Sequence, residues 1–180
     1  MQTIQLTQGF VALVDDADFE RVSVHKWSLH KTKTNLYAVR KVRKTDGTAT
    51  SQLLHRFIMG VTDRRVMVDH EDHNGLNCQR YNLRIATGTQ NNANRSKTYG
   101  SSRYKGVVWD TGRGLWRTDI RKNGRSKHLG RFTDETQAAL AYDAAARKHF
   151  GEFACCNFPP KNTCGACAPA SMIAVVTSIS

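Results

Sequence analysis

Asp69 and His70 stand side by side, with Asn82 twelve positions after the histidine and Asn91 nine further on. These residue types can assemble a one-metal phosphodiesterase centre. A carboxylate and an amide oxygen suit a hard cation such as Mg²⁺, which takes oxygen ligands and keeps several waters. A neutral imidazole beside that cation can remove a proton from water near neutral pH. The local text is VDHEDHNGLNCQRYNLRIATGTQNNANR, preceded by LLHRFIMG. His73 and Asn74 within it read as turn residues, since Asn and Asp side chains bond the nearby backbone.

Residues 53–95 resemble the HNH nuclease motif, in the variant common among homing endonucleases of phage or bacterial type. The resemblance implies an α+β fold whose motif is a ββα-metal unit: two short antiparallel strands and a helix around one Mg²⁺ or Mn²⁺. It implies that Asp69 and Asn91 are metal ligands, that His70 is the general base, and that Asn82 ties the loop and orients the histidine. His55-Arg56, Asn82-Leu83-Arg84 and Gln90-Asn91-Asn92 match the flanks of the motif, whereas Asn77-Cys78-Gln79 departs from its usual Asp-Asn-Arg. Arg56 and Arg95 are the basic residues expected to hold the substrate backbone near the centre.

The elements that must position these residues are legible from composition and pattern. With 180 residues the chain can form two small domains, each near the lower size limit for its own core. A net charge of +12 favours a polyanionic partner. Eleven Lys or Arg against two acids, Asp110 and Asp119, lie between Arg95 and Arg131, so this window alone carries +9. Such residues release counterions from phosphates, which makes binding salt-dependent. MQTIQLTQGF lacks the basic and apolar parts of a secretion signal, and the stretch around Met172–Val176 is far short of the ~20 apolar residues of a membrane span. The expectation is an intracellular, cytoplasmic protein of a bacterium or phage-infected host, with no membrane partner and no small-molecule substrate. Its cysteines at 78, 155, 156, 164 and 167 are then expected to be reduced. Cys155-Cys156 and Cys164/Cys167 are not arranged as two spaced zinc knuckles, so the spacing argues against structural zinc.

Residues 1–50 read as a meander of strands, with GFVALVDD and LYAVRKVR β-like and an Asp46-Gly47 turn signal between flanking strands. Trp27 and Tyr37 read as core. A short helix over Thr89–Asn94 closes the motif. The polar run from Asn92 to Ser102 reads as a linker, which predicts domains of 1–98 and 99–160 and a tail of 161–180. In the second, YKGVVW, LWRTDIR and SKHLGRF predict three strands joined at Gly112-Arg113-Gly114 and Asn123-Gly124. A helix is predicted over Glu135–Phe150, capped by Thr133 or Asp134 and ended by Gly151, with Ala138, Ala141, Tyr142 and Ala145 on its sheet-facing side. Alternation puts Arg117, Asp119 and Arg121 on one sheet face and Trp116, Thr118 and Ile120 on the other, so the charged set must be the uncovered one. Arginines on such a sheet can enter a major groove and read guanine edges.

This second stretch looks like the APETALA2-type DNA-binding domain, on the text YKGV, LWRTDIR, HLGRF, AALAYDAAA and NFP. The resemblance implies DNA contacts at Lys105, Asp119 and Arg121, and at the positions of Trp109, Arg113 and His128, where this chain departs from the plant pattern. Arg117 is added by the alternation argument alone. The expected function is a site-specific DNA endonuclease of the homing type acting on double-stranded DNA. The alternative is a non-catalytic DNA-binding regulator that uses the second domain. No dimer signal is visible, so a monomer is expected.

Overall fold

The computed structural model describes residues 1–96 and 100–158. The boundary expected near residue 98 and the tail from 161, including Cys164 and Cys167, lie outside the described residues. β1 (Gln2–Gln5) and β2 (Val11–Val14) pair as an antiparallel hairpin. They are followed by α1 (Asp16–Ser23), then by β3 (Ser28–Lys31), β4 (Leu36–Arg43) and β5 (Ala49–Leu53) in the order β3-β4-β5. The turn between β4 and β5 is the Asp46-Gly47 turn that the sequence signals. Gly47 takes a φ of 79° there, and the Asp46 carboxylate accepts from the Thr48 amide.

α1 corrects the all-strand reading of residues 1–50. Asp15 caps the start in extended conformation and Asp16 and Asp18 fill the first turn, where acids suit the helix dipole. Asp18 itself is buried and joined to Arg21 at 2.6 Å and Arg80 at 2.7 Å. Burial alone would push this carboxyl up, but the bonds from Arg80 and Arg21 hold it below its usual range. Both guanidiniums also reach the Ile58 carbonyl. One aspartate therefore staples α1 to the loop before the motif's second strand. Val22, Trp27, Leu54 and Ile58 fill the core beside it, with the Trp27 indole donating to the Val22 carbonyl. Trp27 is core as expected.

The motif follows as α2 (Leu54–Ile58), β6 (Met67–His70), β7 (Leu83–Ala86) and α3 (Gly88–Ala93). β6 and β7 pair antiparallel, Asp69 opposite Arg84 and His70 opposite Leu83. Thr87 and Gln90 form a reciprocal capping box at the start of α3, which fixes where that helix begins. The loop between the strands is clamped to β2: Leu13 donates to the Leu76 carbonyl and accepts from Cys78, both through the backbone.

β8 (Val107–Asp110), β9 (Leu115–Lys122) and β10 (Arg125–Phe132) form the sheet β10-β9-β8, covered on one face by α4 (Glu135–Phe150). Asn123 and Gly124 both have positive φ, as a two-residue hairpin of right-handed strands requires. Asp134 caps α4 by accepting from the Gln137 amide, and Gly151 ends it at a φ of 55°. The buried stripe of α4 runs through Ala138, Ala139, Tyr142, Asp143, Ala146 and Phe150. It is rotated from the expected one, with Ala141 and Ala145 at its half-buried margin. Asp143 is the reason for the shift. Its carboxylate accepts from the amides of Asn157 and Phe158, and Asn157 in turn brackets the Lys105 backbone.

At Gly106 the backbone has a φ of 78° and an added Cβ would lie 1.9 Å from the Tyr142 ring. Gly106→Ala is expected to destabilise this layer by about 3 kcal/mol, from overpacking and a left-handed conformation together. Denaturant titration followed by tryptophan fluorescence reads it through Trp109 and Trp116. An unchanged midpoint would mean the close approach does not exist.

Candidate active site and nucleic-acid face

Residues adjacent on a strand point to opposite sides, and β6 uses this to split Asp69 from His70. The Asp69 carboxylate faces α3 and the turn after α4. Its Oδ2 accepts from Arg84 Nε at 2.9 Å, and the Asn94 amide lies 3.0–3.2 Å from both its oxygens while also donating to the His70 carbonyl. The His70 ring faces α2 and β4. It meets His55 edge-on at 4.8 Å between centroids and Tyr37 at 6.0 Å, with Nε2 3.9 Å from the Cys78 sulfur. Both Asp69 and His70 are 6% exposed.

Asn82 is buried at the end of the loop between β6 and β7. Its Oδ1 accepts from the Asp72 amide, and its Nδ2 donates to the Asp72 carboxylate and the Asn77 carbonyl. These bonds close the loop of residues 71–82. Asn91 lies three residues before Asn94, a spacing that puts the two on one side of the chain, and is half-buried. The amide that reaches Asp69 is that of Asn94, which the spacing argument passed over. His73 and Asn74 form a turn, His73 at a φ of 64°.

The donor set can be tested against a divalent ion. Among the described residues no three His, Cys, Asp or Glu side chains cluster as metal ligands. An ion at Asp69 would take one carboxylate, nearby amide oxygens, phosphate and water, which is how Mg²⁺ or Mn²⁺ binds and Zn²⁺ does not. The Cys78 thiol, beside His70, is a poor ligand because burial pushes it up to about 12, where it stays protonated. Asp69 is a carboxylate of the kind a single hard cation takes, and the rest of that ion's shell would be amide oxygen, phosphate and water.

Two basic residues assigned to substrate near this centre prove to differ. Arg56 spends its guanidinium on the Val66 and Asp63 carbonyls, at 2.6 and 2.7 Å, and so braces the chain before β6. Arg95 is exposed, near enough to the half-buried Tyr37 phenol for its charge to oppose slightly the upward push of burial there.

The uncovered face of the second sheet carries Arg117, Asp119, Arg121 and His128, with Asp110 and Arg131 beside them. Asp119 bonds Arg117 at 2.8 Å and His128 at 3.0 Å, while Asp110 bonds Arg131 at 3.1 Å and lies 3.8 Å from Arg113. Thr118 and Ile120 are buried on the opposite face, so the alternation argument holds. Lys105 and Trp109, which the resemblance gave as DNA contacts, make other contacts here. Lys105 turns its ammonium to the Ala93 carbonyl at the end of α3. Trp109 pairs across the strands with Trp116, ring to ring at 4.8 Å, and stays 38% exposed. Arg131 has no place in the sequence argument, although period two from His128, adjusted for the bulge at Leu129, would have found it.

No protein-family model matches the chain. It is 35% identical over 156 residues to an uncharacterized HNH endonuclease of Acanthamoeba polyphaga mimivirus, an alignment covering 83% of this chain and 76% of that one. The chain belongs to the HNH endonuclease family. This relative comes from a mimivirus, which does not support the phage or bacterial type that the motif had implied. Part of the chain is also 39% identical over 59 residues to an AP2-like ethylene-responsive transcription factor of Arabidopsis thaliana. A further match, 42% over 78 residues, is to an AP2/ERF and B3 domain-containing protein of Oryza sativa subsp. japonica. The chain spans only 13% and 20% of those two plant proteins. No helix among the described residues is long and apolar enough to cross a membrane.

In this HNH chain the two facing imidazoles are held neutral. Burial, then the charges of His70 and Arg56, lowers His55 to about 3, and burial lowers His70 to about 4 against the opposing pull of Asp72 and Asp69. The unfolded chain takes up these protons below the ordinary histidine value of 6.5, and the folded chain refuses them. Stability must therefore fall as pH drops from about 6.5 toward 4, by up to about 1.4 kcal/mol per pH unit for each histidine. His55→Gln is expected to remove one histidine's share of that slope in urea titrations at stepwise pH. A slope the substitution leaves intact would place the acid sensitivity elsewhere.

Proposed function

We propose that the protein is a site-specific DNA endonuclease of the homing kind, cutting a phosphodiester at the β6–β7–α3 centre with one Mg²⁺ or Mn²⁺. The observation that carries this reading is Asp69 and His70 side by side at the end of β6, with Asn94 bonded to Asp69 and Asn82 closing the loop that follows, in a chain that also carries an arginine-bearing sheet. When bound, the ion supplies Lewis acidity at a phosphate oxygen and at the leaving oxygen. Asp69 would hold it together with the amide oxygen of Asn91. His70, neutral at pH 7, accepts the proton of the attacking water. Asn82 keeps the loop closed so that the strand ends stay in register. Arg113, Arg117, Arg121, His128 and Arg131 dock the duplex, with Asp119 orienting the arginine and histidine beside it. Arg95 is exposed and can meet the backbone near the cut.

Supercoiled plasmid incubated with Mg²⁺ or Mn²⁺, and with EDTA as control, tests the reading: the nuclease relaxes or linearises it only with metal. A second reading, a DNA-binding regulator with an idle centre, draws on the ion pair that already occupies Asp69. It requires a mobility shift without any change of topology in the same assay.

A further inference from the structure

Arg84 is placed where an ordinary surface ion pair would not be. Its side chain is 13% exposed and that of Asp69 7%. Nε bonds Asp69, Nη1 donates to the Glu152 carbonyl at 2.9 Å, and the guanidinium lies 4.2 Å above the Phe153 ring. Glu152 and Phe153 belong to the turn after α4, so the arginine is anchored from the second sheet-and-helix layer. Ala86 and Ala93 share a core cluster with Ile120, Tyr142, Phe150 and Phe153, which packs the two halves together around that contact.

The third nitrogen is the informative one. Nη2 is buried with no partner among the described residues, and a buried donor left unpaired is costly. The planar guanidinium sets one Nη2–H parallel to Nε–H, so this open donor lies along the edge that meets Asp69. It is suited to an anionic oxygen arriving beside that carboxylate. Meanwhile Arg84 cancels the one negative charge that Asp69 offers a cation. The other nearby acid, Glu71, is 3.9 Å from Nη1 and half exposed. A dication approaching alone meets a neutral pair at this site. A dication approaching with a phosphate meets a restored negative charge, and Nη2 gains its acceptor.

We infer that Arg84 makes loading of the divalent ion conditional on bound duplex, by neutralising the Asp69 carboxylate until a backbone phosphate joins the site. This rests on Asp69 being the metal ligand proposed above. Arg84 is a positioning residue in this scheme, fixed by Glu152 and Phe153 whether or not the ion is present.

The test is Mn²⁺ titration followed by electron paramagnetic resonance, on the full chain carrying His70→Ala so that duplex survives, with ions held by free duplex subtracted. Duplex is expected to tighten Mn²⁺ binding at least about tenfold, and by linkage Mn²⁺ tightens duplex equally. Adding Arg84→Gln is expected to tighten Mn²⁺ at least about tenfold without duplex and to erase most of the duplex effect. Arg84→Lys, which keeps the charge, stays weak. Mn²⁺ affinity that Arg84→Gln leaves unchanged or lowers overturns the inference. If circular dichroism shows that Arg84→Gln does not fold, the Arg84 chain decides alone, and equal Mn²⁺ affinity with and without duplex overturns it. Asp69→Ala separates the two levels: Mn²⁺ binding that survives it removes the metal site itself, whereas loss there with no effect at Arg84 removes only the coupling.

Discussion

His70→Ala is expected to slow phosphodiester cleavage by about 10²- to 10⁴-fold while leaving duplex affinity within about twofold, the cost of losing a positioned general base. The imidazole sits in a pocket of neutral groups. Burial holds it near 4, so at pH 7 it is almost wholly unprotonated. The Cys78 thiol beside Nε2 stays protonated and cannot supply a charge that would reverse this. Activity should accordingly rise with pH through about 4 and level off above about 5, the direction for a base that must be deprotonated to act. The ring is 6% exposed and touches His55, so the alanine leaves a void. His70→Asn, closer in volume, keeps the packing without supplying a base and should be as inactive. Single-turnover nicking of supercoiled plasmid reads the rate, and gel mobility in EDTA reads binding. Nicking that persists in both variants would transfer the proton-accepting role to another group.

What could be read from the residue order depended on how local the physics was. The three-strand-plus-helix layer follows from period-two alternation, a helix cap and an Asn-Gly turn, each settled within a few residues, whereas the strand pair and its closing helix follow from the resemblance of the motif. α1 escaped because it has eight residues and is held by Asp18 reaching Arg80, sixty-two positions away. Asp69, His70 and Asn82 were legible as chemistry, since their types and spacing are themselves the signal. The partners that define their electrostatics were not. Arg84 meets Asp69 only through the β6–β7 register, and His55 meets His70 only because α2 packs beneath the hairpin. Arg56 and Lys105 show the converse. A basic residue in a basic stretch reads as a phosphate ligand until the fold offers it a carbonyl. Trp109 is carried over from the resemblance at a turn one residue longer than the family's, and the fold sets its ring against Trp116.

Arg117→Ala combined with Arg121→Ala, in the His70→Ala background, is expected to weaken duplex binding by about 10- to 100-fold at moderate salt. It should also lower the slope of log affinity against log salt by about 1 to 2, since each lost phosphate contact removes close to one released counterion. The two arginines are not equivalent. Arg117 is joined to Asp119 at 2.8 Å and shares that acid with His128, so its head group is held in a fixed direction. Among the described residues Arg121 bonds the Gly124 carbonyl at 3.3 Å through Nε, and its outer nitrogens bond none of them. Arg121→Ala alone should therefore carry most of the change in salt slope. Arg117→Ala alone should act more on preference among sequences, because a fixed guanidinium can match a base edge where a loose one follows the backbone. Fluorescence anisotropy across a salt series, on a mixed-sequence duplex and on duplexes enriched by repeated selection, separates the two effects. A double variant whose salt slope equals that of the parent would take the sheet face out of DNA binding and leave docking to the surface around Arg95.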